Sequence, residues 1–298
     1  MRRTVYTVAC LSRHGIGPEV MAQASRAVGA ASRLHGFAVD ELHVPFGADA
    51  IMRFGHPFPS SSRRAVLGAD AVLVASEDGA QLETLEEELD LRASIVRVRF
   101  DRSAELSVVA PLRADAWDWT LERSFDLARE SRARISLVDV DNGRAAALEA
   151  RHDGLDVERL RTAEAVRALV FAPHRFDVLV VSPELATTAG DLAACLAQNR
   201  TAAWGRLAPG GPSVFGATHG AADDIAGQGV ADPSSMLLAA ALMVGEGLGE
   251  RRAAATLSSA VGQVHARAKP PSTRGHADTV LAQLPLAWSN AEFHREAV

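Results

Sequence analysis

The chain has 298 residues, 48% hydrophobic and 23% charged, with a formal net charge of −6. That balance suits a globular protein with a sizeable core and excludes a disordered or collagen-like chain. Acids and arginines interleave, no basic stretch carries interleaved aromatics, and no run nears the roughly 20 apolar residues of a membrane span, so neither nucleic acid nor membrane is an expected partner.

Thr4 to Leu11 predicts a first strand. Two arginines precede its apolar run, which is too short and too soon broken for a signal peptide. SRHGIGPEV follows as a glycine turn entering a helix, with Pro18 near the helix start, where its missing N–H costs nothing. Phe37 to Val44 predicts a second strand. Gly47, Gly55, Pro57 and Pro59 punctuate the stretch that follows. Ala69 to Ala75 is continuously apolar, as a strand covered on both faces should be. Glu77 and Asp78 stand at its C-terminal end, where open α/β sheets bind ligands. Leu82 to Asp90 predicts an acidic helix, and Thr120 to Ala133 another. Ile135 to Asp139 predicts a buried strand, then helices over Arg144 to Ala150 and Ala163 to Phe171. Phe176 to Val181 predicts a strand, and SPELATTAGDLAA follows it. Ser234 to Leu248 and Ala253 to Ala266 predict apolar helices. A Pro-rich loop spans Lys269 to Thr273, and Asp278 to Leu284 predicts a last short helix. Cys10 and Cys195 form neither a disulfide nor a zinc pattern, so a cytoplasmic protein is expected. Lysine occurs once, at Lys269, and tyrosine once, at Tyr6.

The most informative stretch is Gly211 to Pro233, GPSVFGATHGAADDIAGQGVADP. By composition it reads as a turn-rich loop before a helix. Its order of residues, however, resembles the adenosine-binding loop of the isopropylmalate/isocitrate dehydrogenase family, in which NAD-using members carry a pattern close to EPVHGSAPDIAGKGIANP. His219, Gly220, Ala222, Asp224, Ile225, Ala226, Gly227, Gly229, Ala231 and Pro233 match without gaps. The family's GDGIGPEV matches at Gly15 to Val20, with His14 in place of its aspartate. The resemblance implies an α/β protein with an isopropylmalate dehydrogenase-like fold, two α/β domains and an interdomain cleft. Residues 1–99 plus 199–298 are expected to form the nucleotide-binding domain, and residues 100–198 a smaller substrate-side and dimerisation domain. It also implies NAD as cofactor, held by His219, Gly220, Ala222, Asp224, Ile225 and Asp232, the last replacing an asparagine. A carboxylate at Asp224 suits a ribose diol.

The reactive end departs from the family. Three substrate arginines map to Glu86, Val96 and a deletion between Phe100 and Trp117, which also removes the tyrosine and a dimerisation arm. Arg97 lies one residue off and so on the opposite strand face. The catalytic lysine maps to Val140. Three metal aspartates map to Ala163, Thr187 and the surviving Asp191, and Gly216 replaces a glutamate near the nicotinamide. One carboxylate is a poor set for Mg²⁺ or Mn²⁺, so no divalent metal is expected. Two functions follow. One is a non-catalytic or regulatory homologue, a homodimer or the partner of an active paralogous subunit. The other is a repurposed, metal-independent enzyme using new acid–base groups, with Asp191, Asp141 and Asp139 foremost and His14, Glu77 and Asp78 beside them.

Overall fold

The computed structural model describes residues 3–12, 15–75, 79–100, 104–197, 201–265 and 272–293. His14, Glu77, Asp78 and Lys269 lie outside the described residues. The N-terminal part contributes β1 (Val5–Leu11), α1 (Gly17–His35), β2 (Ala38–His43), α2 (Gly47–Phe54), α3 (Ser60–Leu67), β3 (Ala71–Val74), α4 (Gly79–Glu88) and β4 (Ala93–Arg99). The middle contributes β5 (Glu105–Pro111), α5 (Trp117–Arg129), β6 (Arg134–Val138), α6 (Asn142–Arg151), β7 (Asp156–Leu160), α7 (Thr162–Phe171), β8 (Val178–Val180) and α8 (Pro183–Leu196). The chain then returns through β9 (Ala202–Leu207), β10 (Ser213–Ala217), α9 (Ser234–Leu242), α10 (Arg251–His265) and α11 (Thr273–Phe293). Four of these strands, β5, β7, β9 and β10, were not expected, and β10 occupies the start of the stretch read as a loop. The last helix is far longer than the segment anticipated and carries Pro285 within it.

The strands form a single ten-stranded sheet in the order β2-β1-β3-β10-β9-β4-β5-β8-β6-β7. Pairing is parallel at both wings and antiparallel at its centre, where β9 joins β10 and β4, and β4 joins β5. The parallel strands are bounded by helices on both faces, which is why β3 is wholly buried and reads as an unbroken apolar run. A continuous core covers one face, built from α1, α5, α9, α10 and α11 against inward residues such as Val8, Ile95, Val109 and Phe215.

The other face is divided. One cluster packs α7 and α8 on Leu106, Val108 and Leu179. A second packs α3 and α4 on Leu11, Val72, Val74 and Trp204. Val96 of β4 packs against both. Among the described residues no helix is long and apolar enough to cross a membrane.

Candidate nucleotide site

β1, β3 and β10 run parallel, so their C-terminal ends share one edge of the sheet. Ligands of open α/β sheets bind at that edge. Two sequence motifs meet there. The turn between β1 and α1 places Gly15 at φ +54, and a Cβ on it would lie 2.0 Å from the Ala221 carbonyl oxygen. Only glycine fits such a left-handed, crowded position. The next residue donates its N–H to the same oxygen, Ile16 N to Ala221 O at 2.8 Å. From the first turn of α1, Glu19 Oε2 accepts the Gly229 N–H at 3.0 Å. Gly229 O in turn accepts the Thr273 N–H at 2.8 Å, tying the loop to the start of α11. The segment after β10 is thus fixed at both ends by α1 and α11. Glu19 was matched in sequence without a role; its task is to hold the far end of this loop.

Within the loop, Thr218 N donates to Ser235 Oγ at 2.9 Å. Ala222 takes a positive φ of 44, and Gly227 and Gly229 take 75 and 67. These left-handed residues wind Asp223 to Gly229 into consecutive turns, with Ile225 N donating to Ala222 O and Gln228 Nε2 to Asp224 O. Ala222 and Ile225 rest on the large core, while Gly220 and the Asp224 carboxylate lie exposed. The His219 ring is anchored by Nδ1, 3.1 Å from Gly220 O. Its Nε2 is buried and has no hydrogen-bond partner among the described residues, and the same holds for Glu19 Oε1. Burial lowers the His219 pKa, partly offset by backbone hydrogen bonds. A buried imidazole nitrogen without a partner is costly unless something completes it. Asp232 has a different occupation. Its Oδ1 accepts the Ser234 N–H at 3.0 Å, at the start of α9, and faces His276 Nδ1 at 3.9 Å.

The positions mapped to reactive groups are filled in other ways. Val96 reaches across to α8, where a Cβ on Gly190 would come within 2.9 Å of its Cγ2. Trp204 lies opposite Gly216 in the β9–β10 ladder. Its indole covers that glycine, since a Cβ there would lie 2.2 Å from Trp204 Cζ2. The indole is 6% exposed, and its Nε1 donates to Ala217 O at 2.8 Å. Glu86 is paired with Arg206 on β9, Nε to Oε1 2.8 Å, and that guanidinium stacks 5.7 Å from the Trp204 ring. The charge reversal at Glu86 is therefore answered by a cation that nothing in the local sequence announced.

Three carboxylates were expected as acid–base candidates. Asp139, at φ +50 after β6, accepts both the N–H and the hydroxyl of Thr162 at 2.9 and 2.7 Å. Those hydrogen bonds lower its pKa. Asp141 caps α6 by accepting the Arg144 N–H at 3.1 Å. Both line one open groove with Val140 and Asn142 beyond the C-terminal end of β6. Asp191 stands exposed on α8 and does not line that groove. The first two thus have structural work at helix starts, and the third stands apart from them.

Arg97 lies on the opposite face from Val96, as strand alternation requires. There it meets Glu246 at 3.0 Å and Glu105 at 3.5 Å. Arg123 pairs with the other oxygen of Glu246, and Arg99 with Glu105 at 2.6 Å. A π-turn over Met243–Gly247 carries Glu246 into this network. Burial raises the Glu105 pKa, but Arg99 and Arg97 outweigh it and leave the carboxyl below its ordinary value. The network lines a cavity of about 240 Å³ with Asp177 and Glu130. It belongs to the core face, where α9 and α10 also line it.

Comparison with known proteins bears on the family and the fold. Residues 120–274 match the family model described as isocitrate/isopropylmalate dehydrogenase. The 3-isopropylmalate dehydrogenase of Synechococcus sp. (strain CC9605) is 30% identical over 327 positions, covering 87% of this chain and 90% of that protein. That of Pseudoalteromonas translucida is 28% identical, covering 88% and 92%. Both alignments are longer than the chain, so both relatives contain segments with no counterpart here. Among solved structures, a beta-decarboxylating dehydrogenase from Thermococcus kodakarensis superposes with a TM-score of 0.79 at 21% identity, covering 94% of this chain and 96% of the other. An isocitrate dehydrogenase from Methylococcus capsulatus gives 0.74 at 22%, covering 94% and 99%.

Proposed function

The chain belongs to the isocitrate/isopropylmalate dehydrogenase family, and from that premise we propose that it is a member that binds the adenosine half of NAD without carrying out metal-dependent oxidative decarboxylation. The observation that carries this reading is a contrast. The loop from His219 to Asp232 is held on three sides by Gly15, Glu19 and Thr273, and it presents an unpartnered buried nitrogen at His219. The positions mapped to the reactive groups hold Val96, Val140, Thr187 and a glycine covered by Trp204. His219, the backbone around Gly220 and Ala222, and the exposed Asp224 carboxylate suit adenine and a ribose diol. Bound NAD supplies a hydride acceptor in this family; here this chain's own residues hold the adenosine end.

The metal is a different matter. Mg²⁺ and Mn²⁺ need near-octahedral oxygen ligation, and Asp191 with Thr187 and Ala163 is a poor donor set for either. Loss of one general acid or base costs roughly 10²–10⁴ in rate, so several absences together argue for a binding or regulatory role. In such a role the chain pairs with itself or with an active paralogous subunit. The expected division into residues 1–99 plus 199–298 and residues 100–198 belongs to the same proposal. It is supported by the split of one sheet face into two clusters on either side of Val96.

Isothermal titration tests the binding half. AMP, NAD⁺ and NADH should compete for one site, and Asp224→Asn should weaken all three. Spectrophotometry tests the other half: no NADH should form from 3-isopropylmalate or isocitrate with Mg²⁺ or Mn²⁺. Turnover sensitive to a chelator would overturn the non-catalytic reading, and absence of binding at millimolar nucleotide would overturn the cofactor reading.

A further inference from the structure

β2 is one of the two edge strands of the sheet and, among the described residues, pairs only with β1. In that parallel ladder Cys10 is the register partner of His43. Glu41 lies two residues before His43 and therefore on the same face. The thiol, a carboxylate oxygen and a ring nitrogen of these three residues all lie within 4.8 Å of one another. Cys10 is 1% exposed, whereas the side chains of Glu41 and His43 are 24% and 50% exposed. The cluster thus has a dry wall bearing sulfur and an open side facing solvent.

From this geometry we infer that Cys10, Glu41 and His43 form a site for one borderline-soft divalent cation of the Zn²⁺ class, with the fourth position open to water. The donor set decides the ion. One sulfur, one imidazole nitrogen and one carboxylate oxygen suit tetrahedral Zn²⁺ and not Mg²⁺ or Mn²⁺, which take oxygen. Bond lengths of about 2.0–2.3 Å put tetrahedral ligand atoms about 3.3–3.8 Å apart. His43 Nε2 and Glu41 Oε2 already lie 3.4 Å apart. The remaining separations are at most 4.8 Å. Ser25 Oγ donates to Glu41 Oε2 at 2.6 Å from α1. That is the kind of outer contact that orients a ligand carboxylate.

Zn²⁺ takes sulfur as the thiolate, so forming the sulfur–metal bond releases the Cys10 thiol proton to solvent. The ion clips the edge strand to β1. The strand β1 leads into the Gly15 turn that supports the nucleotide loop, so the clip stiffens the base of that loop. This site shares no residue with the positions mapped to the family's metal, and it stands or falls independently of the proposed function.

The test uses the whole protein, stripped with a chelator and titrated with Zn²⁺ against a chromophoric indicator, then with Co²⁺ in the absorption spectrometer. One equivalent of Zn²⁺ should bind, and Co²⁺ should give a thiolate charge-transfer band with the strong visible bands of a tetrahedral complex. Cys10→Ser and His43→Ala should abolish the band. His43 is half-exposed, so its variant tests the ligand without disturbing the core. Ser25→Ala should weaken binding about 10–100-fold, and Cys195→Ser should change nothing. No band in the wild-type protein, a band that survives in folded His43→Ala, or a band lost in Cys195→Ser would each overturn the assignment.

Discussion

Replacing Gly15 by alanine tests whether the glycine turn and the nucleotide loop are one unit. At φ +54 an alanine pays about 1 kcal/mol for the left-handed backbone alone. The new Cβ would lie 2.0 Å from Ala221 O, and real Cβ atoms essentially never approach within 3.0 Å. The neighbour is backbone, so no side chain can rotate away; the loop must retreat by about 1 Å. That movement breaks the bond from Ile16 N–H to the same oxygen, worth about 1 kcal/mol net. The total is about 2–3 kcal/mol. Gly36 is the control. It sits at φ +84 after α1 with nothing within 4 Å of the added Cβ, so Gly36→Ala should cost about 1 kcal/mol from backbone strain alone. Urea denaturation of the two variants should therefore differ by about 1–2 kcal/mol. Because 1.4 kcal/mol is a factor of ten, AMP should bind about tenfold more weakly to Gly15→Ala and unchanged to Gly36→Ala. Equal destabilisation of the two variants, with equal nucleotide affinity, would refute the coupling.

Three other outcomes follow from the same geometry. Glu246→Ala leaves Arg97 and Arg123 without their shared carboxylate on the core face, and should cost about 3–5 kcal/mol in chemical denaturation; replacing Glu246, Arg97 and Arg123 together by methionine should cost much less. Trp204→Ala removes a nearly buried indole and should cost about 3–5 kcal/mol, read as a lowered midpoint of thermal unfolding. Asp139 has a lowered folded pKa from the Thr162 hydrogen bonds. Its contribution to stability is therefore complete above the ordinary carboxylate range and lost as pH falls through the lowered value. In denaturant series from neutral to acid pH, Asp139→Asn should be less stable than wild type at neutral pH, and the gap should close on the acid side; a constant gap would refute the cap.

The chain's local chemistry carried much of this fold. Gly15 to Val20 and Gly211 to Pro233 were legible because glycine, proline and aspartate limit the backbone wherever they stand, and their order survives translation into structure. The buried strand β3 was legible from its unbroken apolar run, and α1 from the glycine turn and Pro18 at its start. Arg97 was assigned to the face away from Val96 from alternation alone, and it lies there. The strands β5, β7, β9 and β10 were not legible. β9 and β10 exist because partners far along the chain, β4 and β3, complete their hydrogen bonds, whereas β5 and β7 pair with β4 and β6 close by in sequence. The partners of single side chains were equally hidden. Glu86 finds Arg206, Glu19 finds Gly229, Trp204 covers Gly216, and Cys10 meets Glu41 and His43. Spacing along a chain predicts neighbours within a helix or a strand, whereas contacts between elements depend on which strands become adjacent, and that was decided only when the ten-stranded sheet closed its order.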